Sequence, residues 1–233
     1  MLRPRDEFNV PAWEFARLRD APWLVGFEDV LSLYASCTDW PTAEEHNAVL
    51  KEFELTNASG MRLRFEPTET RRSRRKAPRV VDVSTTYDGN VAIRGIVPTR
   101  DRVPHDFFNA LSWAAFPQTK RTINRLQIDA LQRRIGSAAA RVPNARSRDE
   151  DLLTMLDEGG LIRGTHAFVF GHALMEHFYT TPLPVRAFSV GMDNTRSRRE
   201  VDAELAERLQ GGVSAIDPGG AEGTLVSAAF DAL

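Results

Sequence analysis

The sequence predicts a single α+β domain, with a small, mostly antiparallel sheet packed against a buried helical hairpin and several further helices. Strand and helix patterns are mixed along the chain, without the strict alternation of a parallel α/β fold. The 233 residues are enough for one sizeable core, and the 42% hydrophobic content is ordinary for a globular protein. We assign residues 1–210 to this domain and the Gly-rich residues 211–233 to a loosely ordered tail.

Short helices and one strand are predicted at the start of the chain. Apolar residues recur at helical spacing over residues 25–34. Thr42 and Glu45 form a Thr-x-x-Glu capping box, which predicts a helix that ends near residue 52. Residues 61–66, MRLRFE, alternate apolar and charged side chains, as in a strand with one solvated face.

Residues 67–78, PTETRRSRRKAP, form a basic segment bounded by prolines, which predicts an exposed loop. One interpretation is an arm that binds nucleic acid or another polyanion. The other is a solvated linker, which is favoured because no aromatic residue is interleaved to stack on bases. We therefore expect nucleic-acid binding to be absent or secondary.

The second half of the chain predicts the core elements in order. Strands at 80–84 and 91–97 are separated by a turn signal, Asp88-Gly89-Asn90. Helices at 104–116 and 119–135 form the helical hairpin. The segment LLTMLDEGGLIRG predicts a β-hairpin that turns at residues 157–160. A short helix in FVFGHALMEHF, a strand at 185–190 and an acidic helix at 201–209 complete the fold.

A narrow polar stripe runs along the otherwise apolar helix 104–116. His105, Asn109 and Ser112 share this stripe, whereas Phe107 and Leu111 represent the apolar remainder. Buried polar groups need partners. The stripe is therefore either the wall of a functional cleft or a hydrogen-bonded structural seam. Asp106 suits the first turn through the helix dipole alone, but it lies beside the stripe and is a candidate as well.

Three blocks of sequence resemble one known family. The run VPTRDRVPHDFFNALSWAAFPQTKRTINRL, with TMLDEGGLI and FGHALMEHF, resembles the bacterial domain of unknown function 3025 (DUF3025) over roughly residues 80–190. The resemblance implies a bacterial protein without an established activity. Gln127 stands where the pattern tends to hold a histidine, which weakens any scheme with a third histidine ligand from the second helix. The recurrent positions that the resemblance implies are His105, Asp106, Asn109, Phe116, Pro117, Lys120, Asn124, Gly171, His172 and Glu176.

A metal site is the first functional hypothesis. His172 and Glu176 are four residues apart and share one helix face, and His105 begins another buried helix. These three residues are candidate ligands of a divalent Zn, Mn or Fe ion. The alternative is a structural His–Glu pair whose side chains only hydrogen-bond to each other. We predict that the imidazoles of His105 and His172 lie within about 12 Å of each other, near enough to share a metal or small ligand. The candidate catalytic residues are His105, Asp106, Asn109 and Glu176.

Anion binding is the second hypothesis. Arg100 and Lys120 are expected at the rim of the cleft, and together with Asn124 they are the candidate residues that hold a phosphate or carboxylate. The sequence thus predicts a site for a small anionic molecule or phosphate ester, in a metal-dependent hydrolase. A non-catalytic anion-binding or protein-interaction module is the alternative.

Several other classes find no support. No Gly-x-Ser-x-Gly elbow, phosphate-binding Gly loop or dinucleotide fingerprint is found in the sequence. Cys37 is the only cysteine, so an internal disulfide is impossible and a cytoplasmic protein is expected. No run of about 18 apolar residues predicts a membrane span. The oligomeric state stays open.

Overall fold

The computed structural model describes residues 11–68, 83–135, 146–164, 166–192, 197–216 and 224–228. Within these ranges, nine α-helices accompany a four-stranded mixed sheet and a two-stranded parallel sheet, which confirms the α+β prediction. The helices are α1 (Phe15–Arg19), α2 (Glu28–Leu31), α3 (Ala43–Val49), α4 (Tyr87–Gly89), α5 (Pro104–Ala115), α6 (Pro117–Ile135), α7 (Arg148–Gly159), α8 (His172–Thr180) and α9 (Arg198–Gln210). The strands are β1 (Arg64–Pro67), β2 (Ile96–Thr99), β3 (Gly160–Arg163), β4 (Ala167–Val169), β5 (Val185–Gly191) and β6 (Thr224–Val226).

Both sheets are small, and their pairings are of two kinds. The larger sheet has the order β4-β3-β5-β6, with β3 and β5 parallel and the two outer pairings antiparallel. The parallel pair arises because β4 and α8 form the crossover between β3 and β5. In the smaller sheet, β1 and β2 pair in parallel, with Arg64 opposite Ile96. Strand β6 comes from the segment predicted as a tail and adds an edge to the larger sheet.

Helix α5 lies in the core, as predicted, but it packs mainly against α8, whereas α6 packs mainly against α7 and α9. Only Phe116 separates α5 from α6. Phe107, which is fully buried, is surrounded by the rings of Trp13, Tyr34 and Trp40 at centroid distances of 5.2, 5.2 and 5.5 Å. Edge-on aromatic contacts of this kind add to the free energy gained from burial. Helix α5 is therefore fixed in position by its apolar side.

The capping box that begins α3 is confirmed. The Glu45 amide donates to Thr42 Oγ1 at 3.2 Å, and the Thr42 amide donates to Glu45 Oε2 at 2.7 Å. Of the basic segment predicted as a loop, residues 69–78 lie outside the described ranges. None of the helices described is long and apolar enough to cross a membrane.

The predicted strand at 91–97 is wrong over most of its length. A π-helical turn spans Asn90–Arg94 directly after α4, and only Ile96–Thr99 is extended. Thr86 explains the difference, because its hydroxyl accepts from the Gly89 amide and its carbonyl accepts from the Asn90 side chain. Side chains that favour turns serve here as a helix cap. Of the other predicted strand, 80–84, residues 83 and 84 begin a 3-10 turn and residues 80–82 lie outside the description.

The predicted β-hairpin at 157–160 is also wrong. Ser147 and Glu150 form a capping box, and α7 then runs without interruption to Gly159 and passes directly into β3. Gly160 is needed for this close junction, because a Cβ there would lie 2.4 Å from the carbonyl oxygen of Leu156. Gly159 and Gly160 therefore lie at the junction of a helix and a strand, and not in a turn between two strands.

Replacing Leu111, which is fully buried in α5, by alanine should lower the free energy of unfolding by about 2–5 kcal/mol, since the cavity adds to the lost burial. The matched control is Leu183→Ala, whose side chain is 65% exposed. That variant should change stability by less than about 0.5 kcal/mol. Urea unfolding of the two variants measures both values, and equal losses would contradict the position of α5 in the core.

Candidate metal centre

The first residues of α5 and α8 bring two imidazoles together. The ring centroids of His105 and His172 are 4.7 Å apart. The predicted convergence of the two side chains is therefore confirmed. Its structural cause is the packing of α5 against α8, two helices that each carry the histidine in the first turn.

Hydrogen bonds orient both imidazoles. Nδ1 of His105 lies 2.8 Å from Oε2 of Glu176, and Nδ1 of His172 lies 2.8 Å from the carbonyl oxygen of Asp157. Carboxylate and carbonyl oxygens only accept, so each Nδ1 carries the proton. Each Nε2 then has a free lone pair when the ring is neutral. Metal-bound histidines commonly have this arrangement of an outer acceptor on one nitrogen and the metal on the other.

Glu158 supplies a third ligand atom at the same point. His105, Glu158 and His172 each offer one ligand atom, and these atoms lie within 4.8 Å of one another. Oε2 of Glu158 is 4.0 Å from Nε2 of His172. Among the residues described, this group could hold a metal ion. The carboxylate that the sequence suggested as a ligand, Glu176, instead binds His105.

Gly171 makes the meeting of Glu158 and His172 possible. A Cβ at Gly171 would lie 2.4 Å from the Glu158 carbonyl oxygen and 2.4 Å from the Gly160 amide nitrogen. The Gly171 amide also donates to the Gly160 carbonyl oxygen at 2.9 Å. The start of α8 thus rests on the end of α7, which places His172 beside Glu158.

The pKa values of the two imidazoles are shifted in opposite directions. Burial lowers the pKa of His172 to about 3, so this ring is neutral at neutral pH and its Nε2 is available. The hydrogen bond to Glu176 raises the pKa of His105 above its ordinary value. A metal ion at Nε2 of His105 would therefore compete with a proton more strongly than one at Nε2 of His172.

The three candidate ligands open onto a cavity of about 350 Å³. It lies where α4, the end of β2 and helices α5 to α8 meet. The pocket-lining residues are Thr68, Tyr87, Asp88, Pro98, Arg100, His105, Asp106, Asn109, Gln127, Arg146, Thr154, Asp157, Glu158 and His172.

Asp106 and Arg100 form a clamp at the edge of this cavity. The Arg100 guanidinium donates to both oxygens of the Asp106 carboxylate, at 2.8 and 2.9 Å, and its backbone amide donates to the same group. The bidentate pair closes the loop that precedes α5. Asp106 therefore has a structural partner, and Arg100 remains 40% exposed at the pocket wall.

The other predicted residues of the site are held in a buried network. Lys120 is 3% exposed and lies beneath the pocket, not at its rim as expected. Its ammonium donates to Oδ1 of Asn109 at 2.9 Å and to Asp157 at 2.6 Å. Burial alone would raise the pKa of the Asp157 carboxyl, but Lys120 and the two imidazoles outweigh it and lower the pKa. The amide of Asn109 donates to the hydroxyl of Tyr87 at 2.8 Å.

Four charged residues of the pocket were not expected from the sequence, namely Asp88, Arg146, Asp157 and Glu158. Asp88 and Glu158 both belonged to segments predicted as turns, which hid their functional interpretation. Asn124, which the sequence suggested as an anion-binding residue, does not line the pocket, and its Nδ2 atom instead donates to the carbonyl oxygen and to Oδ1 of Asp88, at 3.1 and 3.2 Å. Arg146 reaches the pocket from the residues before α7, where its guanidinium donates to the Thr154 hydroxyl at 3.1 Å. An acidic residue beside the GG pair was the one available signal for Glu158.

Comparison with known proteins supports the predicted family resemblance. Residues 77–166 match the family described as "Protein of unknown function (DUF3025)". The match covers less than half of the 233 residues and includes His105 and Glu158 but not His172. No curated protein and no solved structure matches the chain.

A methyl group at Gly171 should push the start of α8 away from the end of α7. Gly171→Ala should lower the free energy of unfolding by about 1–3 kcal/mol, because the new Cβ meets backbone atoms that cannot move aside. Gly159→Ala is the matched control, since no atom lies within 4 Å of its added Cβ. It should be neutral or stabilising by up to about 1 kcal/mol. Urea unfolding compares the two, and equal stability would contradict the contact between α7 and α8.

Proposed function

We propose that this protein is a metal-dependent hydrolase that acts on small phosphate esters. The observation that carries the proposal is the convergence of His105, Glu158 and His172 at the wall of a cavity. Three protein ligands leave coordination positions open for water and substrate, as in catalytic metal sites. A purely structural site would use a fourth protein ligand.

The proposed ligand set needs only a small adjustment to bind an ion. Ligand atoms around a tetrahedral metal with bonds of about 2 Å are about 3.3 Å apart. The three atoms here lie within 4.8 Å of one another, so they have to draw together by up to about 1.5 Å. Glu158 can supply this movement, because its side chain is 49% exposed, whereas His172 is only 7% exposed.

Nitrogen and oxygen ligands without sulfur suit Zn, Mn or Fe, and two histidines with one glutamate are a known catalytic set for zinc. A divalent ion in this position would supply a bound water that ionises near neutral pH. Glu176 and the Asp157 carbonyl would hold the imidazoles with Nε2 directed at the ion. These second contacts typically change metal affinity by about 10–100-fold when lost.

The negative charge of the pocket makes binding of an anionic substrate depend on the metal. The pocket-lining residues described include four carboxylates and only two guanidinium groups, those of Arg100 and Arg146. An anion would be repelled by this surface alone. A divalent ion offsets the excess negative charge, and the two arginines can then contact phosphate oxygens. We therefore expect anions to bind only after the metal.

A non-catalytic anion-binding module is the second candidate. It is favoured by Arg100 and Arg146, which line the pocket whether or not a metal binds. Metal-independent binding of an anion would support it. In either case we expect nucleic acid to be at most a secondary partner, since the net charge is −2, and a cytoplasmic setting fits the single cysteine.

Replacing one of the candidate ligands should weaken Zn²⁺ binding at least about tenfold. Replacing Glu176, whose carboxylate orients the His105 ring, should also weaken it, by about 10–100-fold. The ligand variants are His172→Ala and Glu158→Gln, and the variant that removes the acceptor of His105 Nδ1 is Glu176→Ala. Controls of the same chemistry are His177→Ala and Glu52→Gln, both outside the pocket-lining set. Titration calorimetry on chelator-treated protein measures the affinities. Equal affinity of ligand variants and controls would contradict the site.

Inorganic phosphate should stabilise the protein only when Zn²⁺ is present, because the metal-free pocket has an excess of carboxylates. Thermal unfolding with and without phosphate, each before and after Zn²⁺ addition, checks this order of binding. Stabilisation by phosphate in the chelator-treated protein would instead favour the non-catalytic module.

A further inference from the structure

Asp88 is a carboxyl of the pocket that lies outside the candidate metal ligands. It shares the cavity wall with His105, Glu158 and His172, but it comes from α4, on a different part of the chain. None of the contacts that orient the two imidazoles involves it. Neither metal binding nor the orientation of the imidazoles therefore explains why a carboxyl group lines the cavity at this position.

The backbone around Asp88 is fixed. Thr86 Oγ1 accepts from the Gly89 amide at 3.0 Å, and a Cβ at Gly89 would lie 1.7 Å from the Val83 carbonyl oxygen. Only glycine fits there. Asn124 Nδ2 then donates to the carbonyl oxygen and to Oδ1 of Asp88, at 3.1 and 3.2 Å. The carboxyl is thus held against α6 by a neutral donor.

Burial lets the Asp88 carboxyl keep its proton to a higher pH than an exposed aspartate does. Burial, followed by the charge of Asp157 on α7, raises the pKa of Asp88 to about 6. Asn124, Lys120 and Arg146 act in the opposite direction but do not outweigh these two effects. A carboxyl in this state can donate a proton near neutral pH, as the acid residues of other hydrolases do.

We propose that Asp88 is the general acid of this site, and that the substrates are phosphomonoesters of aliphatic alcohols. The proposal rests on the proposed metal-dependent hydrolysis. An aliphatic alcohol is a poor leaving group as its alkoxide, so its departure requires a proton. Phosphate anhydrides and esters of acidic phenols do not need one. A proton donor fixed in the pocket therefore favours phosphomonoesters of aliphatic alcohols.

The atoms and electrons of the step balance. A water bound in the site loses one proton, and its oxygen forms a bond to phosphorus while the bond from phosphorus to the ester oxygen breaks. The ester oxygen keeps that electron pair and takes the proton of the Asp88 carboxyl, which gives the alcohol. The proton lost by the water returns to the Asp88 carboxylate. One water is consumed, and one alcohol and one phosphate are formed.

Two substrates with different leaving groups test the assignment. With the Zn²⁺-loaded protein, Asp88→Asn should lower kcat/KM for glycerol 2-phosphate by about 100-fold. It should lower kcat/KM for p-nitrophenyl phosphate by less than about fivefold, because that phenolate leaves without a proton. Asp129→Asn, on α6 outside the pocket-lining set, is the matched control and should leave both values unchanged.

Equal losses on the two esters would overturn the role of Asp88 and leave the proposed hydrolysis standing. Wild-type protein that turns over neither ester with Zn²⁺ would overturn the proposed function and the role of Asp88 together. Loss on the aliphatic ester alone supports both. The two failures are therefore distinguishable.

A stability measurement tests the protonation of Asp88 without activity. Its pKa is raised in the folded protein from the ordinary 3.8 to about 6. Ionisation then costs more in the folded than in the unfolded state, and wild-type stability falls as pH rises through this interval. Asp88→Asn cannot ionise, so its urea midpoint should rise relative to wild type between about pH 4 and pH 8. A difference that stays constant over this range would overturn the proposal.

Discussion

The polar side of α5 is the constraint on which the rest of the structure depends. This helix is buried on its apolar side, so its polar side chains have to find partners inside the protein. His105 binds Glu176 of α8, Asn109 binds Tyr87 of α4 and Lys120 of α6, and Ser112 binds the Phe170 carbonyl oxygen. Leaving one such group unpaired would cost about 1–3 kcal/mol. Three further helices are thus held in place by one helix.

The candidate site is a consequence of the same packing. Hydrogen bonds from His105 to Glu176 and from Ser112 to the Phe170 carbonyl oxygen hold α8 beside α5. Gly171 allows the first turn of α8 to pack against the end of α7. Imidazoles at the first turns of two buried helices have little freedom to move. Rigid helices hold catalytic side chains more accurately than loops do. The most exposed side chain of the proposed ligand set is that of Glu158, which has the most space to adjust to an ion.

Local sequence patterns predicted the parts of the site that lie on periodic helices. The stripe of α5 and the spacing of His172 and Glu176 led to the meeting of the two imidazoles. Glu158 and Asp88 were missed because Gly and Asn neighbours signal turns in strands and helix ends alike, and only tertiary packing distinguishes the two. The burial of Lys120 was missed for a similar reason. Lysine is rarely buried without a partner, and its partner is 37 residues away.

We propose that one metal ion binds between α5, α7 and α8. The most direct measurement is a crystal structure of the Zn²⁺-soaked protein, with anomalous diffraction collected at the zinc edge. We expect one anomalous peak within about 2.3 Å of Nε2 of His105, Nε2 of His172 and a carboxylate oxygen of Glu158. A peak elsewhere only, or no peak at this position with the three side chains ordered, would contradict the claim.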